Sequence, residues 1–232
     1  MFTLSPAEVD ALLLSLRISL VATFASLPLG LLAAWVLARR DFWGKSILDA
    51  LIHLPLMVPP VVVGYLLLVL LGRNGPVGGF LFDVFGITIA FTWQGAAVAA
   101  AVMAFPLMVR AIRLSIEAAD QRLETAARTL GAGPLRVFVT VTLPQILPGI
   151  LVGVVLAFAR ALGEFGATIT FVSNIPGETR TLPLAIFGEL QVPGTDEAVI
   201  RLVVISIAVA LAALIASEFL SRRISRRLRG AA

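Results

Sequence analysis

The sequence predicts an all-α integral membrane protein, a single transmembrane domain over residues 1–232, and three observations carry that reading. Of the 232 residues 59% are hydrophobic and only 14% charged, with a mean hydropathy of +1.01. Soluble domains hold about 45–50% apolar and about 25% charged residues. A buried core cannot absorb the excess, because a chain of this size still exposes much of its surface. The apolar residues also fall into five long blocks, residues 11–38, 47–71, 87–109, 143–170 and 199–220. About 20 such residues, rising 1.5 Å each, cross a hydrocarbon layer of about 30 Å. Finally, the blocks are continuous, whereas a β-barrel shows alternating segments of about 10 residues. Helices satisfy their own backbone hydrogen bonds in lipid.

Block one follows an N-terminal segment without basic residues and is too long for a cleaved signal, so it reads as a true span. It ends at Arg39-Arg40-Asp41. Block two is interrupted by Pro55, Pro59 and Pro60, each of which removes a backbone donor. That break is either a packing kink or the lining of a translocation path, where a water-filled cavity satisfies the freed carbonyls. Residues 72–79 carry the glycine, asparagine and proline of an outer turn, and residues 80–85 a short amphipathic stretch for the interface. Block three runs past Pro106 to Arg110 and Arg113.

Residues 114–143 are the longest polar stretch between spans. They read as helical over 123–130 and stop at Gly131-Ala132-Gly133-Pro134, with glycine at the helix end and proline beyond it. A segment so ordered between two spans is expected to carry function. Block four holds Gly149 and Gly153 at the spacing that lets helices approach closely. Further on, Arg160 and Glu164 lie four apart on one helix face. Each alone would cost several kcal/mol in hydrocarbon, so the two are expected to pair toward the bundle interior, as a structural bridge or as a gate. Pro59, Pro60, Arg160, Glu164, Phe165 and Thr168 are the pathway candidates. An outer loop over residues 173–183 and a short helix over 184–191 lead into block five.

Charge placement sets an expected orientation. Arg39, Arg40 and Lys45 follow block one; Arg110, Arg113, Arg122, Arg128 and Arg136 follow block three; Arg222, Arg223, Arg226, Arg227 and Arg229 follow block five. Clusters of this kind stay in the cytoplasm, which puts the N-terminus outside and the C-terminus inside after five crossings. The C-terminal arginines read as a topology anchor on anionic lipid. They lack the interleaved aromatic residues of a nucleic-acid site.

Catalytic patterns are missing. There is no cysteine, hence no disulfide or thiolate site. Gly44-Lys45-Ser46 looks like the end of a phosphate-binding loop, but Arg39 stands where that motif needs its first glycine. The one histidine, His53, cannot build a multi-histidine metal site and reads as a helix-end residue near the headgroups. The expectation is a non-catalytic chain with no metal and no cofactor of its own.

One stretch carries a family resemblance. Glu124-Thr125-Ala126-Ala127-Arg128-Thr129-Leu130-Gly131, then nine residues, then Val141-Thr142-Leu143-Pro144, resembles the EAA loop of binding-protein-dependent ABC permeases. The family pattern is acid-Ala-Ala, three residues, Gly, nine residues, Ile-x-Leu-Pro. Here Glu124 sits one place early, Thr125 fills the acidic slot, and Val141 replaces isoleucine. His53 to Tyr65, Phe105 to Arg113, and the run from Ala157 to Pro183 around Gly163-Glu164-Phe165-Gly166-Ala167-Thr168 are similar to the molybdate branch of that family.

The resemblance implies the five-helix core of a type I (MetI-like) importer permease in the bacterial inner membrane. Residues Glu124, Ala126, Ala127, Arg128, Gly131, Gly133, Leu143 and Pro144 would form a cytoplasmic coupling helix and its flanks. The implied partners are a second copy of the chain, two ATPase subunits that bind ATP and Mg²⁺, and a periplasmic protein that delivers molybdate or tungstate. Asn174, Glu178 and Arg180 are candidate contacts for that protein; a plain solvated turn is the alternative. A sulfate or thiosulfate permease of the same family is a rival reading. A passive channel or secondary transporter is another, from a different class.

Overall fold

A computed structural model describes residues 4–229, with side chains described for residues 4–215. These residues form eleven α-helices and one π turn, with no strand among them. The first span is α1 (Pro6–Arg39). Ser5 starts it with a reciprocal cap, its hydroxyl accepting from the Glu8 N–H while the Glu8 carboxylate accepts from the Ser5 N–H.

The second span is broken as expected, at Pro59-Pro60, while Pro55 stays within a helix. It is α2 (Lys45–Met57) and α3 (Pro60–Leu71), bent by 113° at Val58-Pro59. Pro59 and Pro60 cannot donate to the preceding turn, so the helical ladder stops there. Next, α4 (Pro76–Phe85) covers and extends the expected interfacial stretch. The third span begins late and ends late, as α5 (Trp93–Ala118), with Thr92 accepting from the Gly95 N–H at its start. Helix α6 (Gln121–Thr129) follows, then α7 (Pro134–Val137) and a π turn (Phe138–Thr142) that run without interruption into α8 (Leu143–Leu162).

A correction concerns the fourth span, expected to be continuous to residue 170. Helix α8 ends at Leu162, and α9 (Gly166–Val172) resumes after Gly163-Glu164-Phe165. Finally α10 (Leu182–Glu189) leads to α11 (Asp196–Arg229). Among the described residues four helices are long and apolar enough to cross a membrane, or five if the bent α2–α3 pair is taken as one span. The C-terminal arginines, Arg222 to Arg229, lie on α11 beyond the residues whose side chains are described.

Helix α5 is the centre of the bundle and packs on both α1 and α8. Its most apolar stretch is 61% buried, against 6% for that of α11, which is therefore a peripheral helix. Small residues permit the close approach. Ser15, Ser19, Ala22, Ser26, Gly30 and Ala34 are buried along one stripe of α1. On α8, a β-carbon added at Gly149 would lie 2.1 Å from the Ser115 β-carbon, and one at Gly153 would lie 3.1 Å from the Met108 carbonyl. The Gly149–Gly153 spacing thus seats α8 on α5.

Candidate functional site

Two places in this bundle gather the residues singled out by sequence. The first is where the interrupted helices meet. Helices α3 and α9, each the second half of a broken span, pack against one another. The contact is backbone-close, since a β-carbon at Gly64 would lie 2.5 Å from the Ala167 carbonyl oxygen and one at Gly166 would lie 2.7 Å from the Pro60 β-carbon. The structure therefore brings the Pro59-Pro60 break beside the Gly163–Gly166 break. Pro60 takes part in the contact, while Pro59 is exposed.

Glu164 holds the second break together. Its side chain is 2% exposed, and it does two things. One carboxylate oxygen accepts from the Ala167 N–H at 2.9 Å, satisfying the first turn of α9. The other contacts Arg160 Nη1 as an ion pair without an aligned hydrogen bond. Arg160 is the more open partner at 26%. Phe165 stacks obliquely on Phe187 of α10, with ring centroids 5.0 Å apart, and Thr168 is buried on α9. A cavity of about 510 Å³ beside Phe165 and Phe187 is walled by α8, α10 and α11, and its lining is apolar apart from Ser206, whose hydroxyl donates to the Leu202 carbonyl.

The second place is α6 and its supports. Asp120 caps the helix by accepting from the Arg122 N–H. Its end is a Schellman motif in which Gly131 takes φ +86°, its N–H donates to the Arg128 carbonyl at 2.9 Å, and the Ala132 N–H donates to the Ala127 carbonyl at 3.0 Å. Ala126, Arg128, Gly131 and Gly133 are exposed and Ala127 half-buried, as are Leu143 and Pro144 at the head of α8. Leu130 and Leu135 are 88% and 77% exposed, so an apolar surface surrounds the small residues.

Glu124 differs from the rest of the stretch. It points into the bundle, where its Oε1 accepts from Arg39 Nη2 at 2.7 Å and from Thr142 Oγ1 at 3.0 Å. Sequence reasoning grouped it with the outward residues and missed Arg39 and Thr142 as its partners. It also missed a second tie at this end. Arg113 Nη1 lies 3.1 Å from Asp49 Oδ1, and Arg113 Nε lies 2.7 Å from Glu117 Oε1, joining α2 to α5. His53 Nδ1 is 3.2 Å from the same Asp49 oxygen.

The loop at the opposite end of α5, about 39 Å away for 26 residues, uses its polar residues internally. Asn174 Nδ2 donates to the Leu184 carbonyl and Arg180 Nε to Asn174 Oδ1, both at 3.0 Å. Glu178 Oε1 accepts from the Trp93 N–H at 3.2 Å. Asn174, Glu178 and Arg180 therefore build the loop, and its exposed tip is Ile175-Pro176-Gly177.

Interrupted helices meet inside this apolar bundle, and a polar helix packs at one end of it. Residues 26–226 match the family described as binding-protein-dependent transport system inner membrane component, and the chain belongs to that family. It is 61% identical over 98% of its length to the molybdenum transport system permease protein ModB of Escherichia coli (strain K12), covering 99% of that protein. ModB of Haemophilus influenzae is 55% identical over 95% of this chain and 96% of its own. The sulfate transport system permease protein CysT of Salmonella typhimurium is 41% identical over 81% of this chain and 67% of its own. Among solved structures, the inward-facing MetNI methionine ABC transporter aligns with a TM-score of 0.71 at 16% identity, over 93% of this chain and 95% of that one. A bacterial alginate ABC transporter in complex with its pentasaccharide-bound periplasmic protein aligns at 0.74 and 20%, over 95% and 80%. At such identities these structures share the fold, that of type I importer permeases.

Proposed function

We propose that this chain is the permease subunit of an ATP-driven importer for molybdate, with tungstate as a second dianion of the same shape. The near-full-length similarity to two ModB proteins supports the substrate class. The observation that carries the coupling is α6, a capped helix that leaves its small residues open to a partner. In this reading α6 is cytoplasmic, the N-terminus lies outside, and two copies enclose the path. ATP and Mg²⁺ sit on a separate ATPase subunit, so this chain needs no cofactor and no catalytic residue. Ala126 and Ala127 let the helix seat closely, and Arg128 meets acidic groups on the ATPase. A periplasmic oxyanion-binding protein docks at the opposite end, on the exposed tip of loop 173–181. ATP-driven closure of the ATPase pair moves α6 and, with it, the bundle as rigid bodies between two states.

The sulfate reading has one point in its favour, the CysT similarity, and one uptake experiment separates them. A strain lacking its own molybdate and sulfate permeases, supplied with this chain, its ATPase and its binding protein, is expected to take up radiolabelled molybdate and not sulfate. Sulfate uptake instead would overturn the substrate. Uptake that persists without the ATPase would favour a passive channel or secondary transporter.

Gly131 tests the docking helix. A β-carbon there meets nothing within 4 Å, so the cost of Gly131→Val is backbone strain alone, roughly 1–2 kcal/mol for a branched residue held at positive φ. The Schellman end should fray, and more ATP should be hydrolysed per ion carried. Gly131→Asn, which tolerates that conformation, should remain close to wild type in the same vesicle assay.

A further inference from the structure

Of the nine described residues of α6, Glu124 alone is buried. Every other side chain is exposed or half-buried. Short connections flank the helix, Ala119-Asp120 before it and Leu130–Gly133 after it, the latter turning on the left-handed Gly131. Besides these turns, two side chains tie α6 to the bundle: Gln145 of α8, whose Oε1 accepts from the N–H of the cap residue Asp120 at 2.9 Å, and Glu124, which is the one that is buried and ionic and so the stiffer route for a displacement.

The side chain is well clamped. Glu124 Oε1 takes both the guanidinium of Arg39, the last residue of α1, and the hydroxyl of Thr142, the last residue of the π turn. The exposures of the two ionic side chains are 13% and 10%, so water competes little for them. The clamp closes on itself through the rings. Arg39 Cζ lies 5.4 Å from the Trp35 ring, and Trp35 meets Phe138 of the π turn edge-on at 5.5 Å. Three elements, the end of α1, α6 and the turn ahead of α8, are thus joined at one carboxylate. A single π turn inside a continuous helix is a frequent mark of a functional position.

We propose that Glu124 is a positioning residue: its carboxylate, held between Arg39 and Thr142, makes α6 move as one body with α1 and α8, so that force from a docked ATPase reaches the two spans on either side of central α5. The proposal rests on the reading of α6 as the docking helix. It assigns Glu124 to the bundle side of that helix and leaves contact with the ATPase to the exposed residues around Ala126 and Arg128. Arginine suits the position better than lysine, because its planar fork engages a carboxylate while lying against an aromatic face.

The experiment uses the complete complex of permease, ATPase and binding protein in proteoliposomes. The chain has no cysteine, so a cysteine placed at Ala126 and one on the ATPase report docking by disulfide crosslinking without background from this chain. The second readout is radiolabelled molybdate carried per ATP hydrolysed. Ala126→Cys alone should crosslink. Adding Glu124→Ala or Arg39→Ala should leave the crosslink in place and lower the transport ratio by about tenfold, the change expected for loss of one charge-assisted bond. Thr142→Val should lower it less, and exchanging the charges, Arg39→Glu with Glu124→Arg, should recover part of the loss. Glu124→Gln, which keeps the shape and removes the charge, carries the test if the alanine variant does not assemble. A wild-type ratio in Glu124→Gln with the crosslink intact overturns the proposal. Loss of the crosslink in Glu124→Gln also overturns it, since the carboxylate would then serve docking itself. Failure of Ala126→Cys alone to crosslink overturns the docking reading beneath it.

Discussion

Glu164→Ala is expected to cost this protein both its stability in detergent and more than nine-tenths of its transport. The side chain is 2% exposed and neutralises Arg160 while accepting from the Ala167 N–H. Removing it orphans one helix-end donor, worth about 1 kcal/mol, and leaves an arginine without its counter-charge, worth about 3–5 kcal/mol where the pair is buried. The charge decides the outcome. Glu164→Gln keeps an acceptor for Ala167 and loses only the charge, so it should fall between wild type and alanine. Arg160→Leu combined with Glu164→Gln removes the uncompensated cation and should regain most of the thermal midpoint. Recovery of stability without recovery of molybdate uptake in that double variant would assign the pair to the path. Recovery of both would make it a structural bridge. A Glu164→Ala protein with the midpoint and uptake of wild type would refute both roles. Thermal unfolding in detergent and vesicle uptake measure the two quantities separately.

The large features of this fold are legible in sequence because lipid imposes them. A bilayer demands long uninterrupted apolar runs, and α1, α5, α8 and α11 are such runs. What lipid does not impose is harder to read. Pro59-Pro60 announces a break, but the 113° bend follows from what α3 packs against, and that partner is α9, about a hundred residues later. The break in the fourth span had a visible signal, glycines at 163 and 166 on either side of Glu164-Phe165, yet in an apolar run two glycines read equally well as packing residues. The structure shows them dividing the labour. Gly166 lies against Pro60, whereas a β-carbon at Gly163 would be 3.8 Å from its nearest neighbour, the Ala159 carbonyl.

Polar residues proved least legible in their partners. Glu124 sits among Arg122, Thr125 and Arg128, all exposed, and nothing local distinguishes it from them. Its partner Arg39 is 85 residues away. A single buried acid on an otherwise polar helix has no periodic signature, because one position makes no stripe. Asn174, Glu178 and Arg180 show the converse. Their types suit a docking surface, but a loop over an apolar bundle has orphan backbone groups to satisfy; Asn174 and Glu178 do that, and Arg180 holds the Asn174 amide in place.

Gly64 carries the sharpest structural prediction, because two opposing effects can be compared there. In an isolated helix, replacing glycine by alanine gains about 1 kcal/mol of propensity. At Gly64 the added carbon would stand 2.5 Å from the Ala167 carbonyl oxygen and 2.9 Å from both the Ala167 α-carbon and the Thr170 β-carbon. Two of those atoms are backbone and cannot rotate away. The helices must part, and overpacking of this kind costs about 1–3 kcal/mol or more. The cost exceeds the propensity gain, so Gly64→Ala should lower the thermal midpoint and Gly64→Val should lower it further. Gly163→Ala, where the new carbon finds room and φ is −91°, should be neutral or mildly stabilising. Because α3 and α9 are the halves that meet where the two spans break, separating them should also impair transport in the membranes where Gly64→Ala still assembles. A Gly64→Val protein that unfolds at the wild-type temperature would mean that α3 and α9 do not touch along this line, and the meeting of the two broken spans would have to be abandoned with it.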